Sequence, residues 1–327
     1  DLFIKATSPL LQLFLLQDYC TKRPRRVKGR GRSNKTVEVF QAPHVLVAHG
    51  FGSIAFADFA VSFQHALRGI KGPAADRKLL VFLAAYLRSS LAQYFLFHTS
   101  SNWGVSRRKV HVEELLRLPF PAPDATRDPG RAKEVVDEVA RLVQTAMRDA
   151  QKPLSDRESV IETTQAAIEP LVYEYFDVLP VERVLVEDTV RLSIPSFRPG
   201  PKRRSVPAIE PSKPDERVQY TKRLCGTLNG WARGSQSRVV GTPSVSEAVG
   251  VGLVVLEKVE RGGPTATLNG NGDLLAALDG LREAASLKLN TFELARGVKV
   301  FDGNRLFVVK PLERRYWTET AALNDAD

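Results

Sequence analysis

The sequence predicts an α+β protein: a mixed α/β domain first, then a helical segment, then a smaller C-terminal α+β domain. Three observations carry this. Leu79, Phe82, Leu83, Tyr86, Leu87, Leu91, Tyr94 and Phe95 recur at three- and four-residue spacing, which predicts an amphipathic helix over 76–98. Short β-like runs separated by turns precede it over 37–63. Near the other end, Val298–Phe301 and Leu306–Val309 flank Asp302-Gly303-Asn304-Arg305, the pattern of a hairpin.

The chain has 327 residues, enough for two or three domains each with its own core. Hydrophobic residues make up 43%, and no apolar run is long enough to span a bilayer. Leu10–Leu16 is apolar, but Lys/Arg-rich sequence follows it instead of a signal cleavage site. No membrane partner is expected, and a reducing, cytoplasmic setting is. Cys20 and Cys225 are far apart and supply no disulfide framework or zinc pattern. The chain opens on Asp1 and closes on Asp327 and is read as part of a longer protein.

The net charge is +10. Residues 1–123 carry 18 Lys+Arg against 7 Asp+Glu, whereas residues 124–327 carry 29 against 30. All the excess positive charge lies in the first part, which favours a polyanion bound there.

In order, residues 1–20 read as apolar helix or strand. Lys22–Lys35 packs eight cations and no acid into fourteen residues, interrupted by Pro24, Gly29 and Gly31. It is either a solvated loop or a basic arm on nucleic acid, in which case Arg23, Arg25, Arg26, Lys28, Arg30 and Arg32 bind phosphates. Val37–Phe40, His44–Ala48 and Ala60–Phe63 are strand candidates. His49-Gly50-Phe51-Gly52 is a turn that lacks the third glycine and distal acid of a dinucleotide fingerprint. Asp128-Pro129 starts one helix and the Ser155-x-x-Glu158 capping box starts another, which Pro170 ends or kinks. Residues 171–190 are helical again. The expected division is a basic α/β recognition domain over 1–123, an acidic helical region over 124–196, a Pro-rich basic linker over 197–217, and an α+β domain over 218–327. In the last, Gly250–Val259 is a strand, Asn269–Gly272 a turn and Leu274–Ser286 a helix.

The helix of 76–98 leads into a polar turn, Thr99-Ser100-Ser101-Asn102-Trp103-Gly104, and then Arg107, Arg108 and Lys109. Hydroxyls, an amide, an indole and three cations on a rigid support suit phosphate contact and base readout. Tyr86-Leu87-Arg88-Ser89-Ser90-Leu91-Ala92-Gln93-Tyr94, Ser101-Asn102-Trp103-Gly104-Val105 and Leu118-Pro119-Phe120-Pro121 together resemble the C-terminal target-recognition region of N6-adenine-specific DNA methyltransferases of restriction-modification and phage-defence systems. The similarity is clearest over 39–123. Arg88 departs from the family, where Asn is usual. The resemblance implies double-stranded DNA as partner, with contacts from Ser89, Ser90, Tyr94, Ser100, Ser101, Asn102, Trp103, Arg107, Arg108 and Lys109. It also implies an upstream methyltransferase domain that holds S-adenosylmethionine and flips the adenine. No Pro-Pro dipeptide of the target-amine loop occurs here, so no catalytic residue is assigned. Trp103 is either DNA-facing or a buried staple of its turn.

Other chemistries lack support. The histidines at 44, 49, 65, 98 and 111 are scattered, without metal-ligand spacing. Ser100 or Ser101 beside His98 has no third, orienting group. Glu257-Lys258 and Asp302…Lys310 are the nearest approaches to a metal-dependent nuclease, and neither is spaced for one. The competing reading is a scaffold or interaction module that binds RNA or DNA without sequence preference.

Overall fold

The computed structural model describes residues 2–22, 38–49, 53–64, 66–101, 110–152, 155–197, 205–247, 250–261 and 298–327. The fold is α+β, divided into two compact units, Asp1–Val186 and Glu187–Asp327.

Unit 1 begins with β1 (Leu2–Ile4), β2 (Gln12–Phe14) and β3 (Thr21–Lys22). Then come β4 (His44–Ala48), β5 (Ile54–Ala57), β6 (Ser62–Phe63) and β7 (Leu67–Lys71). One sheet has the order β2-β5-β4-β7, parallel only at β2–β5; a second, small sheet has the order β3-β1-β6. β4 and β5 are buried along their whole length, so they read as continuous apolar runs instead of alternating ones. The expected strand at 37–40 is a 3-10 turn over Glu38–Phe40, with Val37 outside the described residues.

Helices follow: α1 (Arg77–Arg88), α2 (Ser90–Thr99), the single turn α3 (Val112–Leu115), α4 (Pro129–Ala150), α5 (Arg157–Tyr175) and α6 (Pro180–Asp188). α1 lies on β2, β4 and β5 and also packs against α4. Asp128 caps α4 as expected, its carboxylate accepting the Arg131 N–H at 3.0 Å. The cap of α5 is Asp156, which accepts the Ser159 N–H, and not the box at Ser155. Nor does Pro170 end α5; Ile168, Val172, Tyr173 and Tyr175 are buried on both sides of it, and that packing outweighs the one lost hydrogen bond. Arg131 binds both oxygens of Glu174 at 2.7 and 2.9 Å, tying α4 to α5.

The boundary expected at 123/124 is not a boundary. Val135, Val139 and Val143 of α4 and Ile168 and Val172 of α5 share one core with Phe14, Phe56 and Phe82. Phe120 of the Leu-Pro-Phe-Pro segment stacks on Tyr86 at 5.8 Å, and Tyr175 donates to the Pro121 carbonyl at 2.7 Å. The acidic helices therefore complete the basic domain instead of following it.

Unit 2 holds α7 (Ile194–Phe197), α8 (Pro214–Trp231), β8 (Ser237–Ser246), β9 (Val251–Glu260), β10 (Val298–Asp302), β11 (Arg305–Pro311) and α9 (Glu319–Ala326). The strands form an antiparallel sheet of order β10-β11-β9-β8. The expected hairpin is β10–β11, with Asp302 opposite Arg305. α8 and α9 pack together, and α8 covers β8. A Cβ on Gly241 would come within 2.7 Å of Thr221 and 2.9 Å of Cys225, so this glycine sets the close approach of α8 to the sheet. The described part of the expected linker, 205–217, is folded: Pro211 bridges Glu313, and Ser212, Glu216 and Arg217 are buried. The expected turn at 269–272 and helix at 274–286 lie outside the described residues.

Candidate nucleic-acid interface

One helix was expected over 76–98, but two stand there, bent by 61° at Ser89. Ser89 leaves the helical region (φ −65°, ψ 160°) and caps α2. Its hydroxyl accepts the Ala92 N–H at 3.3 Å and donates to the Tyr86 carbonyl at 2.7 Å. A serine pair in mid-pattern thus competes with the helix and wins, because the hydroxyl serves both chain ends at the break. Glu169 of α5 completes the junction by accepting the Ser90 N–H at 2.7 Å. Burial raises the Glu169 pKa, only partly offset by hydrogen bonds from Ser90, Gln165 and Tyr173.

A second carboxylate holds the far end of α2. Glu114 of α3 accepts the Ser101 N–H and hydroxyl on one oxygen, at 2.8 and 2.9 Å. Its other oxygen accepts the His111 N–H at 2.7 Å, which forms the capping box of α3. Burial pushes this carboxyl up, but the His111 N–H and the Ser101 donors outweigh it and hold it at about 2. One ionised side chain therefore draws residues 101 and 111 together. Val110, buried, donates its N–H to the His49 carbonyl at 3.1 Å. The residues bordering 102–109 are thereby anchored on both sides. Arg68 of β7 lies close by, where burial lowers its pKa and Glu113 and Glu114 raise it.

The expected DNA contacts divide as follows. Ser89 is 0% exposed with both roles of its hydroxyl used internally, so its assignment as a DNA contact is corrected: it shapes the helix break. Ser90 faces Glu169 and Ser101 is bound to Glu114, so both hold structure together. Ser100 is half-buried, and its hydroxyl lies near the Glu114 carboxylate, which it helps to hold ionised. Tyr94 is half-buried, with its ring edge-on to His98 at 4.6 Å. Asn102, Trp103, Arg107, Arg108 and Lys109 lie outside the described residues, as do Arg23, Arg25, Arg26, Lys28, Arg30 and Arg32.

Sequence reasoning missed both carboxylates. His111-x-x-Glu114 has capping-box spacing, but with His in place of the usual Ser or Thr. Glu169 carries no local signal, because its partner is far away in sequence. Between β2, the α1–α2 junction and α5 lies a cavity of about 450 Å³, lined by Gln12, Arg88, Ser90, Gln165 and Glu169. Arg88, the residue that departs from the family pattern, donates to Gln165 at 3.4 Å, and burial lowers its pKa.

No cluster of three or more metal-ligating side chains occurs among the described residues. His44 is buried and donates to or accepts from nothing but the chain around it, with Nδ1 2.8 Å from the Val39 carbonyl oxygen; burial lowers its pKa. Burial pushes the Cys20 and Cys225 thiols up to about 11, away from nucleophilic thiolates. Lys310 pairs with Asp325 and sits at the other end of the hairpin from Asp302, which disposes of that carboxylate–lysine pair as a nuclease site. Among the described residues no single helix is long and apolar enough to cross a membrane. Comparison with protein-family models, curated proteins and solved structures returns no match.

Proposed function

We propose that this chain is the DNA-binding, target-recognition part of an adenine-N6 DNA methyltransferase from a restriction-modification or related defence system. S-adenosylmethionine and the chemistry on the flipped adenine belong to a domain outside the chain. The observation that carries the reading is the combination Ser89-Ser90…Tyr94, Trp103-Gly104 and Leu118-Pro119-Phe120-Pro121 within one stretch. The two anchored borders of 102–109 support it. Side chains that read bases must be held to within a fraction of an ångström, and Ser101 and Val110 are tied down. Arg107 or Arg108 then has the fork that bridges both acceptors of a guanine, which Lys cannot copy.

The run of eight cations at Lys22–Lys35 favours a second reading, a module that binds any nucleic acid. The experiment that separates them measures this chain on a panel of duplexes in which every position is varied. A target-recognition module prefers one sequence by about a thousandfold or more at physiological salt. Equal affinity for all duplexes, with a steep salt dependence, assigns the chain to the second reading. Given S-adenosylmethionine and DNA, the chain alone is expected to transfer no methyl group; adenine methylation would return the search to a site within it.

A further inference from the structure

Unit 2 carries a second charged surface, apart from every residue in the proposed recognition stretch. Between Arg217 and Ser246 the sequence contains Arg217, Lys222, Arg223, Arg233 and Arg238 and no acid. Lys222 and Arg223 of α8 and Arg233 just beyond it line a groove of about 590 Å³, together with the acid Glu319. Arg223 is spoken for, paired with Glu319 at 2.5 Å. Lys222 and Arg233 are exposed and make no ion pair or hydrogen bond among the described residues.

The floor of the groove is flat. Gly226 and Gly230 stand one turn apart, and a Cβ on either would meet nothing within 4 Å. Among the described residues nothing packs against these glycines, unlike Gly241 on the sheet below. Each weakens the helix relative to Ala, so α8 carries two unfavourable residues on its open face. Beside them Trp231 is 60% exposed, and its indole makes no hydrogen bond or ring contact among the described residues. The other tryptophan of unit 2 behaves differently: Trp317 is buried against Tyr220 at 5.3 Å.

We propose that this face of α8 binds single-stranded nucleic acid. A base stacks on Trp231, the strand runs over Gly226 and Gly230, and its phosphates lie beside Lys222 and Arg233. Single-strand binders combine a cationic groove with an aromatic platform in this way. Lys222 stands nine residues before Trp231, about 13 Å along the axis and two and a half turns around it, so the two border the groove from opposite sides with Gly226 and Gly230 between them, while Arg233 follows the helix C-terminus. The occupant is an anion because the free charges are cations, and it has flat faces because the free ring and the bare backbone are flat.

The test measures binding of a labelled thymidine oligonucleotide to the full chain. The background carries Arg23, Arg25, Arg26, Lys28, Arg30 and Arg32 all changed to Ala, so that the basic arm adds nothing. Trp231→Ala should weaken binding about 5- to 150-fold, the range for loss of one stacked base. Gly226→Ala and Gly230→Ala should each raise the melting temperature by a few degrees, as better helix formers. They should nevertheless weaken binding, because the added methyl groups lift the strand off the floor. Opposite signs on stability and affinity cannot come from misfolding. Unchanged affinity in all three variants would overturn the proposal. So would equal displacement of the oligonucleotide by duplex DNA or by polyglutamate, which would make the face a site for any polyanion or for an acidic protein.

Discussion

The buried glutamates of the two units are held in different ways. In unit 1, Glu114 and Glu169 are held by backbone N–H groups and hydroxyls, and neither is in an ion pair among the described residues. In unit 2, Glu216 is gripped by both arms of Arg314, at 2.7 to 3.1 Å, and Lys310 is paired with Asp325. Backbone dipoles stay in place as long as the local fold does, so they fix chain geometry. A side-chain cation can be removed by substitution or, for lysine, by loss of a proton, so paired charges tie stability to their partner. Unit 1 uses the first device where the chain must be aimed, at the two ends of α2. Unit 2 uses the second to close a small core.

The largest test of this contrast is Arg314→Ala. It leaves Glu216 buried with only the Lys213 N–H as a strong donor, and should cost about 3–5 kcal/mol. Urea unfolding followed by the buried Trp317 measures it; a loss below about 1 kcal/mol would mean that Glu216 does not depend on its cation.

Next comes pH. Burial pushes Lys310, whose side chain is 4% exposed, down to about 8, against the pull of Asp325. The folded state therefore gives up this proton more readily than the unfolded one, and unit 2 should gain stability as pH rises from about 8 to about 10. The gain is on the order of 3 kcal/mol at most. Burial also raises Tyr220, so above about 10 the unfolded state ionises first and stability falls. Lys310→Met should abolish the rise, and a rise that survives the substitution would locate its source elsewhere.

In unit 1 the two glutamates should respond differently to the same change. Glu114→Gln replaces charge-assisted bonds by neutral ones and should cost about 1.5–3 kcal/mol at pH 7. The wild-type contribution is complete above the ordinary carboxylate range and lost as pH falls from there toward about 2, so the difference between the proteins should vanish in acid. Glu169→Gln should change stability by less than about 1 kcal/mol at pH 7. Burial already works against its charge, and an amide oxygen can still accept the Ser90 N–H. Equal costs for the two substitutions, read by thermal unfolding, would erase the distinction drawn between them.

Much of the fold was legible where one local signal decides the outcome. The Asp128-Pro129 start of α4 and the Asp302–Arg305 hairpin are such places. The break at Ser89 was not, because the apolar spacing runs through it and the break depends on a hydroxyl finding two backbone partners. The boundary at 123/124 followed the charge, whereas the structure follows the valines of α4 into the core. Residues 205–217 look like a linker because proline and cations dominate them, yet buried Arg217 bonds back to the Ser212 carbonyl and Glu216 finds Arg314 across unit 2. α8 escaped notice since Gly226 and Gly230 lower its helix propensity. At the candidate interface the residue types stood out in the sequence, but the carboxylates that fix its borders act over distances no local window spans.

The strand order of unit 2 also has a kinetic consequence. β8 with β9, and β10 with β11, are neighbours in both chain and sheet, but β9 and β11 pair across a much longer separation in sequence. Loop closure must be met before the Leu253–Val309 and Val255–Phe307 pairs give anything back. The two hairpins are thus free to form early and alone, and the sheet waits for their docking. Closure cost grows only as the logarithm of the separation, about 0.6 kcal/mol per doubling, so the sequence distance between β9 and β11 weighs little on the finished sheet. It will be felt chiefly in the time the sheet takes to assemble.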